Sequence, residues 1–310
     1  MSVQKIAFKR YKFLKGIYSF FEEMLFYPKW YHWPFILLLL PFSFFYMTFL
    51  HFKFPKKYEN LGIPIISIGN IIIGGSGKTP LSIKIANHFQ KYKPAVILRG
   101  YGRKSRGLLV VSEWGNIKTP VEKSGDEAME IARDTKATVI VCENRKEGIL
   151  KAKNMGAGFV ILDDGFDKPF KKLNIVIDEK IKNPFPLPAG GYRFPRIALK
   201  YADVILKEGE DFIRRVKVPN GEILISGISK PKRLLKYWKG KYEFFPDHYD
   251  FKWEDLSEYK DKKIVTTKKD AVKLEKFPIE INVLELEMAI KEDVLSKIEE
   301  YLIKFQEKGE

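Results

Sequence analysis

From Pro64 onward the apolar residues fall in short continuous runs: Ile65 to Ile68, Ala95 to Leu98, Ala137 to Val141, Gly158 to Leu162, Leu173 to Ile177 and Ala202 to Leu206. Runs this short that do not alternate fit strands buried on both faces, and the longer stretches between them carry helical spacing. The pattern predicts βαβ units and a mostly parallel sheet with helices on both sides, whose ligands collect beyond the carboxyl ends of the strands. A second, smaller set begins near Glu222 to Ile225, continues through Lys263 to Thr266 and Asn282 to Leu286, and closes with an amphipathic helix over 292–305. It predicts a C-terminal α/β lobe. The segment Asn183 to Gly191, rich in Pro and Gly, is the clearest irregular connection. The expected division is 1–57 (an N-terminal amphipathic and hydrophobic segment), 58–215 (the main domain) and 216–310 (the smaller lobe).

The first of these segments has a different pattern. Tyr31 to Phe52 contains no Lys, Arg, Asp or Glu, and is long enough for a bilayer, which takes about 20 residues. Pro34 and Pro41 interrupt it, and Trp30, Tyr31, Trp33 and Tyr46 suit an interface, so a kinked span and a shallow insertion both fit. Upstream, Ile6, Phe13, Ile17, Phe20, Phe21 and Met24 share one helical arc, with Lys5, Lys9, Lys12 and Lys15 outside it and Arg10 the exception. That is the pattern of an interfacial helix for an anionic membrane, and equally of a helix packed on the protein's own core. Lysines flank both sides of the apolar run, so charge does not orient it, and no cleavable signal is evident. The net charge of +16 calls for an anionic partner, whether nucleic acid, anionic lipid or a phosphorylated substrate, and the apolar run favours an anionic membrane surface over nucleic acid. The single cysteine, Cys142, excludes an intramolecular disulfide and suits a reducing compartment.

Chemistry enters after the first strand, at Ile73-Gly74-Gly75-Ser76-Gly77-Lys78-Thr79. Glycines let backbone N–H groups converge on a polyphosphate, the following helix turns its positive end toward it, Lys78 reaches the outer phosphates and the Thr79 hydroxyl is placed for Mg²⁺. The expected cargo is Mg-ATP or Mg-GTP. The generic pattern has Gly five residues before Gly77, where this chain has Ile72, so the match is to the second half of the motif. The fold class expected is therefore α/β, a P-loop NTPase-like mostly parallel sheet with a smaller C-terminal lobe and a membrane-associated N-terminal helical segment.

Strand 158–162 ends in Asp163-Asp164-Gly165, where a P-loop protein places a carboxylate near its metal. Asp163 is the expected metal carboxylate; Asp164, pointing the other way, would organise metal-bound water or the transferring group. Ser124 and Glu127 have the spacing of a capping box, in which Asp126 would only favour the helix dipole. Arg99, Tyr101 and Arg103 lie in a basic loop after a strand end, suited to an anionic substrate. Thr267-Lys268-Lys269-Asp270 reads as a helix start, and His248 as a loop histidine.

Taken in order, Gly74 to Thr79, Arg99-Gly100-Tyr101, Gly125-Asp126-Glu127, Leu162 to Phe166, Leu187 to Gly190, Phe245 to Tyr249 and Thr266 to Leu274 resemble the tetraacyldisaccharide 4'-kinase family over roughly residues 60–290. The resemblance implies an enzyme at the cytoplasmic face of the inner membrane, with ATP and Mg²⁺ as cofactors, that phosphorylates the 4'-hydroxyl of a lipid A disaccharide precursor. It implies catalytic roles for Asp126 and His248 as a pair on the acceptor hydroxyl. Two positions depart from the family: Asp167-Lys168 replaces its usual Gln-His, and Asn144-Arg145 its usual Asp-Arg. A membrane-associated P-loop ATPase of the partitioning type shares the glycine loop but normally has Lys where Ile73 stands, and a basic non-enzymatic membrane or nucleic-acid binder shares only the charge.

Overall fold

The computed structural model describes residues 16–55 and 57–307. The expected arc positions Ile6 and Phe13 and the lysines at 5, 9, 12 and 15 lie outside the described residues. Residues 16–26 are helical (α1), and a short 3-10 turn, Trp30–His32, leads into α2, Trp33–Lys53. Pro34 sits in the first turn of α2, where its missing N–H costs nothing, whereas Pro41 is inside the helix. At about 1.5 Å per residue the 21 residues of α2 match a bilayer's hydrocarbon thickness.

Eight strands form the first sheet: β1 (Ile65–Asn70), β2 (Pro94–Leu98), β3 (Leu109–Glu113), β4 (Asn116–Ile117), β5 (Thr138–Val141), β6 (Phe159–Asp163), β7 (Leu173–Ile177) and β8 (Val204–Leu206), in the order β4-β3-β5-β2-β6-β1-β7-β8. Only β3 and β4 run antiparallel to their neighbours. The chain leaves β1 toward β2 on one side and later fills the other with β7 and β8, so the loop after β1 opens at a switch point of the sheet. Helices α3 (Lys78–His88) and α5 (Asp126–Asp134) cover one face, packing Leu81, Ile85 and Ile131 on Ile66, Val96 and Val139; α6 (Arg145–Asn154) covers the other through Ile149 and Ala152. Between β4 and α5 stands a single turn, α4 (Val121–Ser124).

The second sheet, β11-β10-β12-β13-β9, contains β9 (Phe212–Lys217), β10 (Ile223–Ser226), β11 (Lys241–Phe244), β12 (Lys263–Thr267) and β13 (Glu280–Ile290), with β9 antiparallel to β13. Residue 215 thus lies inside a strand of this sheet. The short α7 (Trp253–Leu256) and α8 (Lys268–Leu274) belong to the same lobe, but α9 (Glu292–Glu307) returns to the first sheet. Its buried Val294, Leu295, Ile298 and Leu302 repeat at helical spacing, and the Tyr301 hydroxyl bonds both the N–H and the C=O of Ile65 at 3.3 and 3.2 Å. The two lobes are tied at this end by the chain terminus.

The N-terminal helices are part of the same body. Met24 and Ile36 are buried with Ala189, and Leu50 is buried with Ile71, Ile72, Phe166 and Tyr192. Ser43, 2% exposed, donates from Oγ to the Pro186 carbonyl at 3.0 Å and accepts from the Ala189 N–H at 3.0 Å. Removing the hydroxyl strands the buried Ala189 N–H, while the Pro186 carbonyl keeps the Gly190 N–H at 2.9 Å, so Ser43→Ala should lower stability by about 1–3 kcal/mol. A thermal melt of the detergent-solubilised protein measures this, and an unchanged midpoint would mean that α2 is only loosely attached. The opposite side of α2 presents Leu37, Leu38, Phe42, Phe44, Phe45, Phe49 and Phe52 outward.

Candidate active site

The loop from β1 to α3 holds Gly74 and Gly77 at φ of 81° and 92°, values that side chains avoid, so glycine is required at both. Gly77 is the N-cap residue of α3, and Lys78 and Thr79 begin the helix. Lys78 Nζ donates to Asn70 Oδ1 at 3.3 Å and lies 3.7 Å from Asp164 Oδ1. The loop is braced from behind by the 183–194 segment, through Ile73 N–H on the Gly191 carbonyl at 2.9 Å. From the second lobe, Arg214 of β9 donates to the Ser76 carbonyl at 2.6 Å and Arg233 to the Gly75 carbonyl at 2.5 Å.

Asp163 ends β6 and Asp164 begins the turn after it, and the two carboxyls find different partners. Asp163 Oδ2 accepts from Thr79 Oγ1 at 3.4 Å. Burial pushes Asp163 up to about 7, with Glu127 adding to the effect and Lys78 opposing it. Asp164 has φ 61° and is gripped through both oxygens by Arg193, at 3.0 and 2.8 Å. Burial would raise Asp164 as well, but Lys78 and Arg193 outweigh it and bring it down to about 2. One carboxyl therefore binds its proton or a cation readily, while its neighbour is already paired.

Asp126 opens α5, and the capping-box expectation fails there. The N-cap position is Gly125 at φ 86°, and the Ser124 hydroxyl donates backward to the Pro120 carbonyl at 3.2 Å, closing α4 instead. Freed from a capping role, Asp126 accepts a contact from His248 Nδ1 at 3.2 Å across 122 residues of sequence. His248 occupies a left-handed conformation, φ 57°, that turns its ring from the second lobe toward α5. Burial raises the Asp126 carboxyl, but His248, Lys269 and Lys273 prevail and lower it to about 2. For the His248 ring, burial disfavours charge and Lys269 repels it, while the Asp126 hydrogen bond prevails and holds it above its usual range. Asp126 Oδ2 is buried without a hydrogen-bond partner. Glu127, one residue on, raises Asp163 by its charge and accepts from Lys269 at 3.2 Å, which couples the aspartate pair electrostatically to the cluster around Asp126 and His248.

In the 99–107 loop, Arg99 is exposed and the Tyr101 ring lies 5.6 Å from that of His248. Arg103, expected at the substrate, turns inward instead. Its guanidinium bonds Glu143 at 2.6 Å, the Gly107 carbonyl at 2.6 Å and Ser105 at 3.1 Å, so its donors hold the loop's shape. The two departures from the family pattern have physical readings. Asn144 is the N-cap of α6, accepting from Lys146 N–H at 3.2 Å, a task Asp performs equally well. Asp167 pairs with Lys168 at 3.3 Å beside Lys172, which ties down the carbonyls of Gly165 and Phe166. Sequence reasoning missed Arg193 and Lys269. Arg193 is the one charged side chain between residues 183 and 194, a usable signal, whereas Lys269 was masked by its place at the start of α8.

The comparisons bear on the fold and the family. A family model described as tetraacyldisaccharide-1-P 4'-kinase matches residues 35–220 and 208–303. A protein of that name from Aliarcobacter butzleri is 44% identical over 94% of this chain and 99% of its own length; one from Campylobacter jejuni serotype O:6 is 40% identical over 92% and 96%. A Helicobacter pylori protein of the same name is 36% identical over 94% and 97%. Among solved structures, LpxK from Aquifex aeolicus in complex with ATP superposes with a TM-score of 0.72 at 27% identity, covering 87% of this chain and 99% of that one.

Proposed function

The chain belongs to the tetraacyldisaccharide-1-P 4'-kinase family, and on that premise we propose that it transfers the γ-phosphoryl group of ATP to the 4'-hydroxyl of a tetraacyldisaccharide 1-phosphate in lipid A biosynthesis. The observation that carries this reading at residue level is an aspartate–histidine pair built from both lobes, 3.2 Å apart, on the lobe whose glycine loop already meets Asp163 through Thr79. Ile73 to Thr79 cradle the phosphates, with the backbone amides and Lys78 aimed at charge that grows on the outer phosphate. Asp126 Oδ2, which makes no hydrogen bond but has the Lys273 and Lys269 ammonium groups at 3.6 and 3.9 Å, orients the acceptor hydroxyl and takes its proton late, and His248 steadies Asp126 through the other oxygen. Arg193 holds Asp164, which in turn keeps Lys78 directed at the transferring group. Arg99 and Tyr101 flank the acceptor.

Thr79 and Asp163 fit a magnesium ion. They offer hard oxygen ligands 3.4 Å apart, and a buried carboxylate whose proton affinity is raised gains from a cation. No cluster of three or more His, Cys, Asp or Glu that would hold a metal occurs among the described residues, which suits an ion completed by substrate phosphates. When bound, Mg²⁺ neutralises charge on the transferred group. The outward aromatic and aliphatic side chains of α2 set the enzyme on an anionic membrane surface, at the cytoplasmic face of the inner membrane where ATP is available.

The test is incubation of the full chain with γ-labelled ATP and a tetraacyldisaccharide 1-phosphate. Label should appear in the lipid. Steady ATP hydrolysis with unlabelled lipid would point instead to a partitioning-type ATPase.

A further inference from the structure

Lys269 stands at the first turn of α8 with its side chain largely buried, and its ammonium meets three acceptors. Glu127 Oε1, Asp247 Oδ1 and His248 Nε2 each lie 3.2 Å from Nζ. An ammonium carries three N–H donors and no acceptor, so the count closes. Glu127, Asp247 and Asp126, the last at 3.9 Å, favour the charged lysine against burial.

A group that only donates decides the state of the nitrogen it faces. His248 Nε2 must present its lone pair to Lys269, which places the ring proton on Nδ1, facing Asp126 Oδ1. The opposite tautomer would point an N–H at an ammonium and a lone pair at a carboxylate, both repulsive. We propose that Lys269 is a positioning residue that locks neutral His248 in the Nδ1–H tautomer, so that the imidazole donates to Asp126 Oδ1 and leaves Asp126 Oδ2, 3.6 Å from the Lys273 ammonium, as the carboxylate oxygen without a hydrogen bond. Lys269 matters to turnover only if Asp126 and His248 work as the pair proposed above. The same ammonium joins Glu127 of the first lobe to Asp247 of the second, so the tautomer is set only where the lobes meet.

The tautomer is readable without kinetics. The full chain, uniformly labelled with ¹⁵N-histidine in detergent, has four histidines, and the signal lost in His248→Gln identifies the ring. In mildly alkaline buffer the wild type should show a protonated Nδ1 and an unprotonated Nε2; a ring protonated at Nε2, or at both nitrogens, overturns the proposal. Lys269→Met leaves Nε2 facing the Glu127 and Asp247 carboxylates at 4.0 and 3.9 Å, so Nε2 should gain a proton and kcat should fall roughly 10- to 1,000-fold, a range bounded by the cost of a wrong tautomer in serine proteases, with little change in KM for ATP. Lys269→Gln, whose amide still donates one hydrogen bond, should keep the Nδ1–H signature and part of the rate, and it guards against misfolding of the methionine variant. An unchanged tautomer in a folded Lys269→Met protein also overturns the proposal. If His248→Ala turned over normally while the wild-type signature held, the fault would lie with the catalytic pair and not with the role of Lys269 in setting the tautomer.

Discussion

Lys78→Ala should lower transfer to the lipid on the order of 10²- to 10³-fold while leaving the melting temperature nearly unchanged. The side chain is 18% exposed and makes one hydrogen bond, to Asn70, and one longer ion pair, to Asp164. Its loss does not orphan the carboxylate, because Arg193 still grips Asp164 through both oxygens. Activity therefore falls through the missing phosphate contact and not through unfolding. Turnover near the wild-type rate in a folded Lys78→Ala enzyme would show that the loop does not cradle the transferred phosphate.

Asp126→Ala and His248→Ala should each reduce kcat by roughly 10²- to 10⁴-fold, with little effect on KM for ATP. The double variant should be scarcely worse than the poorer single one. Nδ1 and Oδ1 are 3.2 Å apart, so each acts through the other and removing one silences both. The geometry already joins the lobes at this point, and no closing motion is needed to bring the two residues together. Fully multiplicative losses would mean two separate roles. A melt of each variant is needed alongside, since Asp126 balances Lys269 and Lys273 at 3.9 and 3.6 Å and its loss leaves those ammonium groups closer to unpaired.

Deleting residues 1–57 is a less simple experiment than the apolar pattern suggests. The deletion would strip Met24, Ile36 and Leu50 from buried clusters and remove Tyr46, whose hydroxyl donates to the Arg193 carbonyl at 3.0 Å. The truncated chain should leave the membrane and also lose order around Arg193.

The sequence by itself determined what is local. Continuous apolar runs became the parallel strands β1, β2, β5, β6, β7 and β8, because a strand buried on both faces needs no polar alternation. Glycines at 74 and 77 announced the loop conformation, because only glycine tolerates those backbone angles. Thr267 announced the start of α8, since its side chain accepts from the Asp270 N–H. The strands β3, β9 and β11 escaped notice because they lie at or near sheet edges, where polar residues are tolerated: β9 reads Phe-Ile-Arg-Arg-Val-Lys and β11 Lys-Tyr-Glu-Phe. Tertiary structure alone decided that α9 returns to the first sheet, that Arg103 is drawn to Glu143, and that Lys269 meets His248. None of these leaves a local trace, because each depends on which distant donors and acceptors share one buried volume, and burial makes that pairing compulsory.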